Sequence, residues 1–283
     1  MKNKFIYAFL TITMILGVSC NKSDGDDQLP NSAALELPPF ESLAIDFGGF
    51  IDNSSSGKHA STEIAGTNWL YPRIVIGVWN TALFTNLAVP VASFASAFDH
   101  DASFIGDNTW QWQYTVEGFG GEYISRLTGE LATDEVVWKM YVTKTGIGEF
   151  EEFLWFSGVS DLDGQAGAWT LYQSAEHPNR MIDIEWSREN DEIGNVKYTW
   201  VRELNEAGEA DLFKNSYLEF GLEEGDLNAF YDLHVYDYQM ESFVDVNIKW
   251  NSTANNGRVM APSYFEDELW HCWNGNGENV DCE

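Results

Sequence analysis

From residue 109 onward the chain alternates apolar and polar side chains with a period of two. TWQWQYTVE (109–117) puts Trp110, Trp112, Tyr114 and Val116 on one face and Gln111, Gln113, Thr115 and Glu117 on the other. EVVWKMYVTK (135–144) sets Val136, Trp138, Met140 and Val142 against Lys139, Tyr141 and Thr143. RMIDIEWSRE (180–189) sets Ile182, Ile184 and Trp186 against Asp183 and Glu185, and NVKYTWVREL (195–204) sets Val196, Tyr198 and Trp200 against Lys197, Thr199 and Glu203. LNAFYDLHVYDY (227–238) and SFVDVNIKW (242–250) follow the same rule, and runs near 122–131, 150–159, 167–174 and 215–224 also read as strands. Such alternation marks strands with one face buried and one in water. The separators carry turn chemistry: Gly118-Phe119-Gly120-Gly121, Gly146-Ile147-Gly148, Asp161-Leu162-Asp163-Gly164, Gly194-Asn195 and Gly208. Short loops between successive strands predict antiparallel neighbours, hence a mainly β meander of about ten strands. A sheet of that width is expected to curl into a barrel or half-barrel.

Before the strands comes an apolar run. No charged residue occurs from Ile74 to Phe98. Its length admits a membrane span, but Asn80, Thr81, Thr85, Asn86 and Pro90 interrupt it. It is therefore read as one long helix over 74–98, kinked near Pro90 and buried nearly all round inside the sheet. Leu43 to Phe50 is a further strand candidate, and Asn53 to Gly57 a loop.

The first residues read as a leader. Lys2 and Lys4 precede an apolar stretch from Phe5 to Val18, which is shorter than the roughly 20 residues a bilayer core demands. This is the pattern of a secretory signal peptide over 1–19. Leu16-Gly17-Val18-Ser19-Cys20 resembles the lipobox of bacterial lipoproteins, relaxed at Gly17, which implies cleavage before Cys20 and lipid on its sulfur. Asn21 to Asp27 (NKSDGDD) resembles the acidic export tag of Bacteroidota-type surface lipoproteins, which implies an outer-membrane location facing the cell exterior. Residues 20–40 then form an acidic tether, stiffened at Pro38-Pro39, with a coil reach of roughly 24 Å for about 18 residues. Residues 41–283 form a single β-rich domain.

Charge narrows the partners. Removing the leader takes away Lys2 and Lys4 and leaves 13 basic against 45 acidic residues, a formal charge of −32. Such a chain is repelled by phosphate backbones, so nucleic acid is excluded as a partner. Hydrophobic content of 44% excludes disorder. With Cys20 lipidated, Cys272 and Cys282 remain as a pair in an oxidising compartment, and a disulfide between them is expected. Closing so short a loop contributes roughly 3 kcal/mol.

Motifs for catalysis are weak. Asp161-Leu162-Asp163-Gly164 has the opening of a calcium loop but lacks the distal acid, so Asp161 and Asp163 are better read as a turn. His59, His100, His177, His234 and His271 are scattered, and Asp99-His100-Asp101 has no second ligand group. Asp183 and Glu185 share a strand face about 7 Å apart, a spacing that acid-pair hydrolases use. No cofactor is predicted, and no enzyme.

Trp110, Trp112, Trp138, Trp186, Trp200, Trp270 and Trp273 are the candidate ligand contacts, either lining an apolar pocket or stacking on sugars. Trp270 and Trp273 are the ones expected to be exposed. The outline resembles the half-barrels of the periplasmic lipoprotein carrier and its outer-membrane receptor, and more distantly lipocalin-like barrels. Gly167-Ala168-Trp169 is similar to the lipocalin Gly-x-Trp but stands mid-chain. The leading expectation is a membrane-anchored, non-enzymatic binding or scaffold module for an apolar small molecule. A glycan-binding adhesion module and an acid-pair hydrolase are the alternatives.

Overall fold

The computed structural model describes residues 35–44, 50, 67–118, 120–190 and 192–282. The leader, Cys20, the acidic stretch after it, most of the strand candidate at 43–50, the loop at 53–57 and His59 lie outside the described residues.

Strands form at each of the ten places where alternation marks one, and four more join them. In chain order they are β1 (Ser103–Gly106), β2 (Thr109–Gly118), β3 (Gly121–Leu131), β4 (Glu135–Lys144), β5 (Phe150–Asp161), β6 (Ala166–Tyr172) and β7 (Arg180–Glu189). There follow β8 (Glu192–Trp200), β9 (Tyr217–Leu222), β10 (Ala229–Asp237), β11 (Ser242–Trp250), β12 (Gly257–Met260), β13 (His271–Trp273) and β14 (Asn279–Val280). Every strand pairs with its neighbours in sequence, so the sheet runs from β1 to β14 without a crossover, and each pairing is antiparallel. Against the expected ten, the described residues hold fourteen strands. The additional strands, β1, β12, β13 and β14, have two to four residues, too few for a period to show. Of the barrel and half-barrel expected, the closed barrel does not form: β1 and β14 are edges, not partners. With two residues, β14 offers little backbone to pair.

One face of the sheet is buried. Val136, Trp138, Met140 and Val142 of β4 and Ile182, Ile184 and Trp186 of β7 all point inward. Register then shows a feature that alternation hides. Trp110, Gly129, Trp138, Gly158 and Trp169 lie side by side across β2 to β6, so tryptophan and glycine alternate between strands. Gly167 likewise faces Trp186, and Gly257 lies between Trp250 and Trp273. A Cβ on Gly129 would sit 2.6 Å from the Trp138 ring, and one on Gly158 would run into the Ala168 carbonyl and the Trp169 ring. Each indole lies over the bare backbone of its neighbour, which lets wide rings fill the inner face without pushing strands apart. Gly158→Ala is expected to cost about 1–3 kcal/mol. Gly77→Ala, where nothing lies within 4 Å, is expected to be neutral or stabilising because alanine is the better helix former. Urea midpoints of the two variants check this.

The apolar run forms α1 (Leu70–Ala97). Contrary to expectation it is not buried all round. Ile76, Leu83, Leu87, Phe94 and Ala97 face the core, whereas Ile74 and Val78 are 55% and 63% exposed. The outward side is apolar as well, so no periodicity separates the two faces. The expected kink at Pro90 is also displaced. The helix bends by 61° between Leu70–Leu83 and Thr85–Ala97. At the bend the Thr85 hydroxyl donates to the Thr81 carbonyl (2.8 Å) and the Asn86 amide to the Ala82 carbonyl (2.7 Å). Side chains bonded to the carbonyl four residues back compete with the helical ladder and bend it. Among the described residues no single helix is long and apolar enough to cross a membrane.

The helix crosses the inner face of the sheet. At its start Asn68 donates through its side chain to the Cys272 carbonyl (2.9 Å) and through its backbone to Asn279 (2.6 Å). Near its end the Tyr114 hydroxyl donates to the Ser93 carbonyl (2.5 Å), and Ser93 and Ser125 share a hydrogen bond. Burial pushes the Tyr114 phenol well above its usual value, so it stays protonated and donates. Phe94 packs edge-on against Phe156 and Trp169. The short 3-10 turn Phe40–Ser42 caps the far side: Trp169 Nε1 donates to Ser42 Oγ (3.1 Å), and the Tyr198 hydroxyl reaches the Leu43 carbonyl. Phe50 fits against Tyr231 and Trp250. One turn of helix, α2 (Pro262–Phe265), lies between β12 and β13.

Candidate functional site

The helical spacing of α1 sets Leu83, Leu87 and Val91 in one row and Ala88 and Ala92 beside it. Facing them are Ala44, after the 3-10 turn, and Tyr198, from the inner face of β8. These residues and Asn80 enclose a cavity of about 250 Å³. Its walls are apolar apart from Asn80 and the Tyr198 hydroxyl. Leu83 and Leu87 are buried at its floor, and Ala88 and Ala92 are exposed at its rim, so the cavity opens beside the helix. This geometry suits an apolar molecule slimmer than the drug-sized ligands that occupy sites of roughly 300–1,000 Å³.

Sequence reasoning did not find these residues. They sit in a run without amphipathic period, and Tyr198 read as one inward residue among many. The one signal is Asn80, a polar residue on an otherwise apolar helical row.

None of the candidate tryptophans lines the cavity. Trp110, Trp112, Trp138 and Trp186 are core residues, all 5% exposed or less. Trp138 Nε1 donates to Ser160 (3.0 Å), and Trp200 Nε1 donates to Asp211 (3.0 Å). Trp273, expected at the surface, is buried: its ring lies over Gly257, and its Nε1 donates to the Asn255 carbonyl (2.8 Å). Trp270 is half-buried with the Arg258 guanidinium 4.4 Å from its ring centre. Both stand beside the Gly- and Asn-rich loop that the disulfide closes, which is why exposure is expected of them; the β12–β13 pairing turns Trp273 inward.

Cys272 and Cys282 are joined by a disulfide, Cα–Cα 5.3 Å, which ties the chain after β14 to β13. Asp161 Oδ1 accepts from the backbone N–H groups of Gln165 and Ala166, and Gly164 takes a left-handed φ of 65°. Asp161 and Asp163 thus belong to the β5–β6 hairpin turn. Asp183 is bonded to Thr170 and Arg180, whereas Glu185 is exposed across from Lys197, whose ammonium pairs with Glu219; the two acids do not share a site. Two carboxylates, Asp211 and Asp267, are held below their usual range. Burial raises Asp211, but hydrogen bonds from Trp200, Arg202 and the Phe213 amide outweigh it; for Asp267 the Leu269 amide and then His271 are the causes. Among the described residues no group of three or more His, Cys, Asp or Glu side chains converges as a metal site. Comparison with protein families, with curated proteins and with solved structures finds no match to the chain.

Proposed function

We propose that this is a lipid-anchored binding module, exported by the leader at 1–19, acylated at Cys20 and held on the outer membrane facing outward. In this reading the open sheet is a half-barrel whose inner face cradles α1, and the cavity at α1 and β8 takes one slim apolar chain, such as an alkyl tail. The observation that carries it is the apolar lining of that cavity, open at Ala88 and Ala92 and furnished with only two polar groups, Asn80 and Tyr198. Apolar walls favour an apolar occupant by removing its surface from water.

Native mass spectrometry after gentle extraction tests this. The wild type is expected to carry an apolar adduct. Ala88→Trp, at the exposed rim, is expected to lose the adduct and keep the thermal midpoint, because the indole fills the opening without disturbing the core. A bare wild-type mass, or an adduct that survives in Ala88→Trp, rejects the site.

A further inference from the structure

We infer that the outward face of α1 rests on the lipid surface into which the Cys20 acyl chains insert. This depends on the anchoring at Cys20 proposed above.

The face itself is unusual for a water-exposed surface. Ile74, Val78, Ala82, Thr85, Ala88 and Ala92 are all exposed, at spacings of three and four that place them on one side of the helix. No charge occurs from Ile74 to Phe98 in a chain whose formal charge is −30. Four polar residues within the run bond to carbonyls of their own helix. Thr81 donates to the Gly77 carbonyl (2.9 Å), Thr85 to Thr81 (2.8 Å), Asn86 to Ala82 (2.7 Å) and Ser96 to Ala92 (3.0 Å). Hydroxyls bonded to their own helix need no water, which is how polar side chains are carried where water is absent. Bent by 61° and with Ile76, Leu83, Leu87 and Phe94 packed into the core on its other side, α1 offers one apolar face to lie along a lipid surface.

The path of the chain indicates which surface is present. Leu35, Glu36 and Leu37 lie beside Ala97 and Phe98, at the C-terminal end of α1. Cys20 precedes Leu35 by fifteen residues, which even fully extended span at most about 50 Å. A lipid on Cys20 therefore keeps the bilayer within reach of this helix at high local concentration. The cavity rim, Ala88 and Ala92, belongs to the same face. An apolar chain leaving the bilayer would enter the cavity without crossing water. Net negative charge opposes approach to anionic lipid, so contact is expected with neutral lipid and weakened by anionic lipid.

The test uses the full lipidated protein in phosphatidylcholine vesicles, nitroxide-labelled through Val78→Cys or, on the outer face of β7, Glu185→Cys. Both sites are exposed. The Val78 label is expected to lose collisions with a water-soluble nickel chelate and gain collisions with oxygen, and phosphatidylglycerol in the vesicles is expected to reduce both changes. The Glu185 label is expected to stay in water. A Val78 label as wet as the Glu185 label, in protein that floats with the vesicles, overturns the inference and leaves the anchor standing. Shielding accompanied by spin–spin broadening overturns it in favour of a second copy on this face. Protein that fails to float overturns the anchor and the inference together.

Discussion

Trp169→Ala is expected to cost about 3–5 kcal/mol, a large share of the roughly 5–15 kcal/mol by which a domain is stable. Trp169 is 1% exposed and joins three parts of the molecule. Its ring meets Phe94 of α1 at 5.7 Å and Phe156 of β5 at 5.4 Å, its flat side covers Gly158, and its Nε1 donates to Ser42 Oγ. Truncation opens a cavity bordered by bare glycine backbone that cannot collapse to fill it, and it strips the donor from a fully buried hydroxyl. Trp169→Phe keeps most of the volume and forfeits the N–H, so a loss of about 1–2 kcal/mol is expected. Urea unfolding followed by far-UV circular dichroism measures both. Equal losses for Ala and Phe would mean that the hydrogen bond to Ser42, not the packing, holds the helix and the 3-10 turn to the sheet.

The pairing of Trp169 with Gly158 illustrates what period two conveys and what it omits. Alternation shows which side of a strand is apolar, and the inward positions of β2, β4 and β7 follow from it. It carries no information about which residue of the next strand lies alongside, and the interleaving of tryptophan and glycine exists only at that level. The strands of two to four residues at the edges are illegible for a different reason: backbone pairing defines them, and their side chains have no room for a pattern. The helix is legible as a helix but not by face. Hydropathy distinguishes a buried from an exposed side only when the exposed side is polar, and on α1 Ile74 and Val78 are as apolar as Ile76 and Leu83. The cavity residues inherit this blindness, since they lie along the same featureless run. Trp273 was misplaced because loop-rich neighbours imply exposure, whereas one antiparallel step onto Gly257 buries it.

Asp211 marks the remaining gap, a buried charge in a segment without strand pattern, and its removal is expected to cost about 3–5 kcal/mol, as for one partner of a buried ion pair. The carboxylate side chain is 2% exposed and that of its partner Arg202 15%. Oδ2 accepts from Arg202 Nε (2.5 Å) and Trp200 Nε1 (3.0 Å), and Oδ1 from the Phe213 amide (3.0 Å). The backbone of Asp211 closes the same loop, with its N–H on the Glu203 carbonyl and its own carbonyl accepting from Lys214. The connection between β8 and β9 is therefore built around one anion. Asp211→Ala leaves the Arg202 guanidinium largely buried without its counter-ion and the Trp200 N–H without an acceptor. Because the folded carboxyl is held below its ordinary 3.8, it contributes stability above that pH and loses it as the pH falls through the folded value. The stability gap between wild type and Asp211→Ala is expected to be full at pH 7 and to shrink below about pH 4. Urea midpoints at pH 7 and pH 3 measure the two gaps. A gap that does not change with pH would show that the loop depends on the shape of this side chain and not on its charge.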